Sequence, residues 1–380
     1  MSATAVAPPA GARAPGRGKL DIEGVTHRYG DSVALRDVDL HVADGEFVTF
    51  LGPSGCGKTT MLRIIAGFTK PTEGRIRLQD EDVTRVPPHK RWTQMVFQRP
   101  TLFPHLDVFE NIAFGLRVAK VDGAEIRRRI GWALDLVRLP GFERRRAHEL
   151  SGGQMQRIAM ARAIVLEPKV LLLDEPLSAL DLKIRLEMEV ELRRVHRETG
   201  ATFIYVTHDQ REALALSDRI VVFNDGQVEQ VGTAEDIYRR PGSAFAARFV
   251  GDANVLPVTI RRNGGGDTHA ELAGRRLALS CGASAEGSAL LVLRPEAVRL
   301  APAPDVADAL PATVHDVAFR GSGFTYRLAV EGLDDLVKAE VPAGAGPPHE
   351  IGARVALLLD ESTCSILAGP GGPGGEAPGD

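Results

Sequence analysis

The stretch Gly52-Pro53-Ser54-Gly55-Cys56-Gly57-Lys58-Thr59 decides the fold class of this chain. It follows the apolar run of residues 46–51, which is typical of a buried strand, and precedes residues 60–66, which have the periodicity of an amphipathic helix. Glycines let the backbone curl so that its N–H groups and the helix N-terminus face an anion, and Lys58 adds a positive charge. In this context the pattern predicts a triphosphate site with Thr59 as a Mg²⁺ ligand, rather than a glycine-rich turn that only starts a helix.

Length and composition indicate more than one globular unit. With 380 residues and 44% hydrophobic content, the chain can bury two or three cores. Its 46 basic and 50 acidic residues give a net charge of −4, so no overall basic field attracts nucleic acid. Cys56, Cys281 and Cys364 show no paired spacing, which favours a reducing compartment. No apolar run reaches the roughly 18 residues of a spanning helix, so any role at a membrane is predicted to be played from outside the bilayer.

The sequence pattern changes after about residue 250. Up to residue 250, apolar runs such as 170–173 and 202–206 alternate with helical stretches, which predicts a mainly parallel α/β sheet in a domain of residues 19–250. Residues 254–368 contain short β-branched and leucine-rich runs separated by Gly and Pro, which predicts a small all-β, OB-like domain. We place the boundary between Arg240 and Asn254. Residues 1–18, which show no signal peptide, and residues 369–380 are expected to be disordered tails.

Two acidic residues, Asp174 and Glu175, follow the apolar run 170–173. At the carboxyl edge of a parallel sheet they would lie by the same crevice as Lys58. Asp174 is predicted to hold Mg²⁺ through water, and Glu175 to orient and deprotonate a water that attacks the terminal phosphate. Because two acids at a strand end are more often simply solvated, this prediction depends on the upstream loop.

A second predicted anion site is the segment Ser151-Gly152-Gly153-Gln154, ahead of the helical stretch 155–164. Ser151 stands in a capping position, and the glycines leave N–H groups free for an anion. One nucleotide already has its own loop at Lys58, so the second site is predicted to close on ATP held by a partner subunit. The alternative is an ordinary capped helix.

The order of these motifs resembles that of the ATP-binding subunits of ABC transporters. The resemblance covers roughly residues 19–250 and implies a P-loop NTPase fold with a mixed sheet, a helical subdomain that carries the 150–154 signature, and hydrolysis of ATP with Mg²⁺. The motifs that carry it are the loop before Lys58, residues 150–154, Asp174-Glu175, residues 178–181 and residues 207–209.

The resemblance also implies roles for single residues. Tyr29 would stack on adenine, unless it is a surface aromatic of a strand. Gln98 would reach Mg²⁺ and the attacking water, Asp181 would meet its counterpart across a dimer, and His208 would contact the terminal phosphate, unless it is an exposed side chain. The residues expected to bind ATP are Tyr29, Gly52, Pro53, Ser54, Gly55, Cys56, Gly57, Lys58, Thr59, Thr60, Ser151, Gly152, Gly153, Gln154 and Asp181. Catalysis is assigned to Glu175, His208, Gln98 and Lys58, and the metal to Thr59, Gln98 and Asp174.

The segment after Gln98 departs from the family pattern. Arg99-Pro100 stands where near relatives commonly carry a small residue and an aromatic one, which puts the details of docking there in question. Leu102, Phe103 and Leu106 would either line a groove for a coupling helix of the membrane subunit or pack inside the helical subdomain.

The C-terminal part resembles the regulatory TOBE domain of solute importers, through residues 251–254 and 293–296. Residues 251–254 and 205–219 look most similar to spermidine/putrescine importer ATPases, with iron(III), thiamine and phosphonate importers as alternatives. The resemblance implies a homodimer that serves two membrane-spanning permease subunits and a solute-binding protein at the cytoplasmic face of the cell membrane.

Two other classes of protein are less consistent with the sequence. A soluble ABC ATPase that acts on DNA or ribosomes would carry a coiled-coil insertion or a second cassette, and neither appears between Lys58 and Ser151 or after His208. The arginine clusters 127–129 and 144–146 are typical of solvated helix faces, so no nucleic-acid partner is predicted. A non-catalytic ligand sensor would not need both Lys58 and Glu175.

Overall fold

A computed structural model describes residues 19–262, 268–278, 286–302, 309–346, 348–360 and 363–369. The two predicted tails lie outside these residues, apart from Gly369, which is buried against Ser288. Cys281 also lies outside them. The chain divides into two compact units between Ala234 and Glu235.

Among its described residues, the first unit contains ten strands and six helices. Its strands are β1 Leu20–Tyr29, β2 Ser32–Val42, β3 Phe47–Leu51, β4 Glu73–Leu78, β5 Glu81–Asp82, β6 Thr93–Val96, β7 Val170–Asp174, β8 Thr202–Thr207, β9 Arg219–Asn224 and β10 Gln227–Gly232. Its helices are α1 Lys58–Ala66, α2 Val108–Val118, α3 Gly123–Leu136, α4 Gly152–Ile164, α5 Leu182–Thr199 and α6 Gln210–Leu216. Short 3₁₀ turns occupy Pro88–Lys90 and Ala147–Glu149.

A six-stranded sheet of order β10-β9-β3-β8-β7-β6 forms the centre of this unit. Its strands β9, β3, β8, β7 and β6 are parallel, and β10 pairs antiparallel to β9. All residues of β3, β7 and β8 are buried, which explains why these strands are continuous apolar runs rather than alternating ones. The carboxyl ends of parallel strands meet at one edge of a sheet, and this edge positions the site.

Two cores flank the parallel sheet. On one side α1 packs between it and an antiparallel sheet of order β2-β1-β4-β5, through residues such as Met61, Ile64 and Ile65. On the other side the helices α2 to α5 form a second core, and α2 and α3 pack on α4. The predicted mixed sheet and helical subdomain are confirmed.

In the part of the chain that the structure describes, the second unit consists of ten strands and two short helices, the first of which begins at the last residue of the first unit. They are α7 Ala234–Arg239, α8 Ala244–Phe249, β11 Asn254–Arg262, β12 Thr268–Leu272, β13 Arg275–Ala278, β14 Gly287–Leu293, β15 Val298–Pro302, β16 Leu310–Phe319, β17 Gly323–Val330, β18 Val337–Pro342, β19 Arg354–Leu359 and β20 Ser365–Ala368, with 3₁₀ turns at Pro295–Ala297 and Ala343–Ala345. Two five-stranded antiparallel sheets, β13-β12-β11-β14-β20 and β15-β19-β16-β17-β18, enclose one core. The predicted all-β, OB-like domain is confirmed.

The second unit begins upstream of the boundary that we predicted between Arg240 and Asn254. The reason is the buried Arg294, whose guanidinium donates to the carbonyls of Tyr238, Ala247 and Asp252 at 3.0, 2.9 and 3.1 Å. It also lies over the Tyr238 ring, 4.1 Å from the ring centroid. These contacts attach α7 and α8 to the β-sheets, which a turn signal at Pro241-Gly242 cannot indicate.

Candidate functional site

The predicted catalytic residues meet at the carboxyl edge of the parallel sheet. The Lys58 loop follows β3, Gln98 follows β6, Asp174 ends β7 and His208 follows β8. Because these strands are parallel neighbours, residues far apart in sequence converge at this edge. The sheet therefore brings together the loop, an amide, two carboxylates and an imidazole.

The phosphate loop has the backbone geometry that its glycines allow. Gly57 has φ 100°, and a Cβ there would lie 2.5 Å from Ala34 O. A Cβ at Gly52 would lie 2.4 Å from Phe223 O, so both positions exclude any other residue. Lys58 is buried, and its Nζ donates to Gly52 O and Pro53 O at 2.7 and 2.8 Å. The ammonium is thus held inside the loop at the start of α1, where it and the free N–H groups suit a polyanion.

The rest of the loop supports this arrangement. Cys56 is buried with its Sγ 3.6 Å from Lys58 Nζ, and burial raises the pKa of its thiol, which stays neutral beside the lysine. Ser54 and Gly55 are exposed at the tip of the loop, while Thr60 is half-buried in the first turn of α1.

Thr59 and Asp174 form the pair that suits a divalent cation. Thr59 Oγ1 donates to Asp174 Oδ1 at 3.0 Å. Burial raises the pKa of Asp174, and the neighbouring Glu175 carboxylate adds to the rise, whereas the hydrogen bond from Thr59 opposes it. Hydroxyl and carboxylate oxygens are ligands that Mg²⁺ prefers, and a cation would relieve the cost of the buried charge. The pair therefore fits the predicted metal.

Glu175 is contacted by two of the other predicted catalytic residues, Gln98 and His208. Gln98 Nε2 donates to Glu175 Oε2 at 3.1 Å, and His208 Nδ1 lies 3.2 Å from Glu175 Oε1. Gln98 Nε2 also donates to Ser178 Oγ at 3.2 Å. A carboxylate held beside the Asp174–Thr59 pair, with an amide and an imidazole around it, has the placement of a base that orients water.

The 151–154 segment lies at a different place in the first unit. Ser151 and Gln154 form a reciprocal capping box: Ser151 Oγ accepts from Gln154 N at 3.3 Å, and Gln154 Oε1 accepts from Ser151 N at 2.9 Å. A cavity of about 370 Å³ lies beside this cap. Its lining comprises Leu139, Ser151, Gly152, Gly153, Gln154, Arg157, Ala179, Leu180, Asp181 and Ile184.

The residues predicted to bind ATP thus form two separate groups in one chain, one at the Lys58 loop and one at the 151–154 segment. The 151–154 cavity includes Asp181 and no residue of the Lys58 loop. Tyr29 ends β1 with half of its surface exposed, and its ring packs edge-on against His27 with a centroid distance of 4.5 Å. The capped helix that we weighed as an alternative is present, and its glycine end is open to the cavity.

The segment after Gln98, in which the sequence also singles out Glu110-Asn111, is fixed by hydrogen bonds of the buried Asn111 that the sequence does not predict. Asn111 Oδ1 accepts from Phe103 N at 2.7 Å, and its Nδ2 donates to Phe103 O and Leu106 O, both at 3.2 Å. Leu102 packs against the helical core, as the packed-subdomain alternative expects. Phe114, whose ring lies 4.9 Å from that of Phe103, is 48% exposed.

Sequence reasoning also missed Arg185 and Glu212. Glu212 is buried, and Arg185 contacts the loops on both sides of the site. Their only sequence signal is position: Arg185 lies one helical turn after Asp181, and Glu212 three residues after Asp209, where capping boxes place a glutamate.

In class, this is a P-loop NTPase in which Asp174 and Glu175 stand at the end of a central strand and the helical subdomain carries a separate, serine-capped helix start. Comparisons with known proteins agree. Residues 35–178 match the family model described as ABC transporter, and residues 291–367 match the TOBE domain. The chain is 45% identical, over 95% of its length and 97% of the relative, to the spermidine/putrescine import ATP-binding protein PotA of Rubrobacter xylanophilus. The PotA protein of Acidothermus cellulolyticus is 50% identical over 85% of this chain and 86% of that protein.

The chain therefore belongs to the ABC transporter family, among its ATP-hydrolysing subunits with a C-terminal TOBE domain. Solved structures agree with this assignment. The dimeric ATP-binding cassette MJ0796, in a post-hydrolysis state bound to ADP and Pi, has 34% identity and a TM-score of 0.51, with 57% of this chain and 98% of that one covered. CbiO1 from Clostridium perfringens, part of the transporter complex cbiONQ, has 31% identity and a TM-score of 0.54, with 57% and 89% covered. Among the described residues, no helix is long and apolar enough to cross a membrane.

Proposed function

We propose that this chain is the ATPase subunit of a polyamine importer, working as a homodimer that hydrolyses MgATP. The observation that carries the catalytic part is the Glu175 carboxylate, shared by Gln98 and His208 beside the Thr59–Asp174 pair. The solute is inferred from the relatives named for spermidine and putrescine import, which match nearly the whole chain. These relatives favour polyamines over iron(III), thiamine or phosphonate.

In the proposed site each residue has one task. The backbone N–H groups of the 52–60 loop, to which Pro53 contributes none, and the Lys58 ammonium bind the phosphate tail, and Tyr29 stacks on adenine. Thr59, Asp174 and Gln98 would hold Mg²⁺, which neutralises charge on the phosphate oxygens when bound. Glu175 Oε1 or Oε2 takes the proton of the attacking water, and His208 contacts the terminal phosphate from the other side of Glu175.

The second half of each site would come from a partner copy. The partner's 151–154 helix start would supply N–H donors and the Ser151 hydroxyl to the terminal phosphate, with Asp181 at the same interface. ATP would then stabilise the closed dimer, because these contacts exist only when two copies meet, and hydrolysis would reopen it. The separate position of the 151–154 cavity from the Lys58 loop supports this arrangement.

Coupling to transport would pass through the Gln98 segment. Exposed Phe114 lies next to the Asn111-fixed loop, with its ring 4.9 Å from that of Phe103, and exposed Phe97 directly precedes Gln98, so both would provide apolar surface for a helix of a permease subunit. We therefore propose two permease subunits and a solute-binding protein as partners, with the ATPase at the cytoplasmic face of the cell membrane and no nucleic acid involved.

Phosphate release by the purified chain tests the catalytic part. Glu175→Gln should reduce ATP turnover by on the order of a hundred-fold or more, because the general base is lost, while ATP binding persists. Glu23→Gln, which neutralises an exposed acid of β1, is the matched control and should hydrolyse ATP at the normal rate. Normal turnover by the Glu175→Gln variant would contradict the proposal.

Stimulation of turnover tests the solute. The complex of this chain with its co-expressed permease and solute-binding proteins is placed in vesicles, and ATP hydrolysis is measured with spermidine, putrescine, thiamine, phosphonate or iron(III) supplied separately. Stimulation by the polyamines is expected. Stimulation by another solute alone would keep the ATPase assignment and overturn the polyamine assignment.

A further inference from the structure

A single arginine of α5 joins the loop after β7 to the loop after β8. Arg185 Nη2 donates to Leu180 O at 3.1 Å, and its Nη1 donates to Asp209 Oδ2 at 3.2 Å. Its Nε lies 3.8 Å from Glu212 Oε1. A guanidinium is one rigid, planar group, so its two hydrogen-bond partners, Leu180 O and Asp209, are held at fixed positions relative to one another, and Glu212 is its ion-pair partner.

On the side of α6 these contacts fix the residues on either side of His208. Thr207 Oγ1 donates to Glu212 Oε2 at 2.7 Å and accepts from Asp209 N at 2.9 Å. Tyr205 OH donates to the same Glu212 oxygen at 2.7 Å. Asp209 in turn caps α6 by accepting from Glu212 N at 3.3 Å. Both neighbours of His208, Thr207 and Asp209, are therefore held by hydrogen bonds. Their position determines where the His208 ring lies.

On the side of α5 Arg185 holds the end of the loop of residues 176–181. This loop begins next to Glu175, whose carbonyl accepts from Ser178 Oγ at 2.9 Å. It ends at Asp181, which caps α5 by accepting from Ile184 N at 3.1 Å and lines the 151–154 cavity. The carbonyl that Arg185 binds belongs to the residue directly before Asp181. A displacement of Asp181 is thus transmitted to the guanidinium.

Arg185 also neutralises negative charge between α5 and the loop after β8. Asp209, Glu212 and Glu189 form a group of three carboxylates beside it. Burial raises the pKa of Glu189, Glu212 and Asp209 raise it further, and Arg185 lowers it. The arginine therefore offsets acid repulsion that would otherwise separate α5 from the loop after β8.

We propose that Arg185 is a positioning residue that couples the 176–181 loop to His208. Arrival of a partner copy at Asp181 would move Leu180, and through Arg185 and Asp209 would move the His208 ring from its place 3.2 Å from Glu175 toward the terminal phosphate. Turnover would thereby depend on dimer closure. This inference rests on the proposed function, and Arg185 itself acts through its partners rather than on ATP.

Arg185→Met tests the coupling, because methionine keeps an unbranched stem and removes the guanidinium. We expect kcat for ATP hydrolysis to fall about ten- to a hundred-fold through misplacement of His208, while KM for ATP changes less than roughly two-fold. Arg185→Lys keeps the charge without the planar fork and should recover part of kcat.

Arg194→Met is the matched control. Arg194 lies on the same helix with nearly the same side-chain exposure, 24% against 25%, and it also binds two carboxylates, Glu191 and Glu198, and one carbonyl, that of Leu136. Its loss should lower the melting temperature about as much as Arg185→Met does, with kcat unchanged. Equal kcat for the two variants, with the wild type active, would overturn the coupling and leave the proposed ATPase intact.

A double-mutant cycle separates positioning from a general structural effect. In a His208→Ala background, Arg185→Met should cause no further loss of turnover in single-turnover assays at high enzyme concentration, because the residue through which it acts is gone. Additive losses would show that Arg185 does not act through His208. Absence of turnover in the wild type would instead contradict the proposed function.

Discussion

At the scale of single residues, Glu175 combines the predicted chemistry with an unusual backbone. Its φ of 44° lies in the left-handed region that residues other than glycine seldom adopt. The conformation is held because Glu175 N donates to Val206 O at 3.0 Å, across to β8. Strained backbone is typical of residues whose side chain must be aimed, and here the side chain faces Gln98 and His208.

Asp174→Asn should stabilise the nucleotide-free protein while removing its response to Mg²⁺. The folded-state pKa of Asp174 is raised by burial, so its ionised form opposes folding. Asparagine keeps an acceptor for Thr59 and removes the charge, which is expected to raise stability by about 1 kcal/mol, or about 2–4 °C in melting temperature. Mg²⁺ should then no longer add to the thermal stabilisation by ATP, and an unchanged Mg²⁺ effect would contradict the assigned ligand.

The stability difference between Asp174→Asn and the wild type should change with pH in one direction. Because the folded-state pKa is raised, the folded protein binds the Asp174 proton more tightly than the unfolded chain does. The destabilisation of the wild type by ionised Asp174 is absent below the pKa of this residue in the unfolded chain. It is complete once the pH exceeds its pKa in the folded protein. The stability gap between Asp174→Asn and wild type should therefore narrow as the pH falls through this window, as measured by urea unfolding without nucleotide. A gap that widens on acidification would contradict the burial argument.

At the scale of elements, α4 shows how one helix start can serve both the fold and the predicted site. Its capping box satisfies two backbone donors, and a Cβ at Gly152 would contact nothing within 4 Å. The remaining N–H groups of the first turn are thus accessible from the adjoining cavity. Cap and anion site are compatible interpretations of the same four residues.

Ser151→Ala separates these two contributions. Loss of the cap should cost about 1 kcal/mol, and Ser243→Ala, which removes the cap of α8, should cost a similar amount. Only Ser151→Ala is expected to reduce ATP turnover, by roughly ten-fold or more, since its hydroxyl would donate to the partner's nucleotide. Equal turnover in the two variants would show that Ser151 is a cap alone.

Arg294→Met should loosen α7 and α8 from the second unit. The substitution leaves the carbonyls of Tyr238, Ala247 and Asp252 without this donor, and that of Ala247 is buried, at a cost of about 3 kcal/mol. Hydrogen exchange of residues 235–250 in the full chain should accelerate, with basal ATP hydrolysis retained. Arg299→Met, at a side chain that is 75% exposed, is the control and should leave exchange unchanged. Unaltered protection in Arg294→Met would contradict the role of this arginine.

At the scale of the whole molecule, sequence patterns predicted those strands, turns and helix starts that depend only on residues within one short segment. The apolar runs of β7 and β8 and the glycine loop before α1 specify strand, turn and helix start within a few residues, and the family order indicates which strand ends meet. Contacts between distant segments were not predictable in this way. Arg185 acts through the carboxylates of Asp209 and Glu212, which are up to 27 residues away and come close to it only when the sheet has formed. The start of the second unit likewise depends on Arg294, 56 residues beyond Tyr238.

The central claim is that each ATP lies between the Lys58 loop of one copy and the 151–154 helix start of another. The most direct measurement is a high-resolution structure of the full-length Glu175→Gln variant with MgATP. The account predicts a dimer in which the partner's Ser151 hydroxyl and glycine N–H groups lie within hydrogen-bond distance of the terminal phosphate. Nucleotide bound at Lys58 with the 151–154 segment of every copy facing solvent would contradict it.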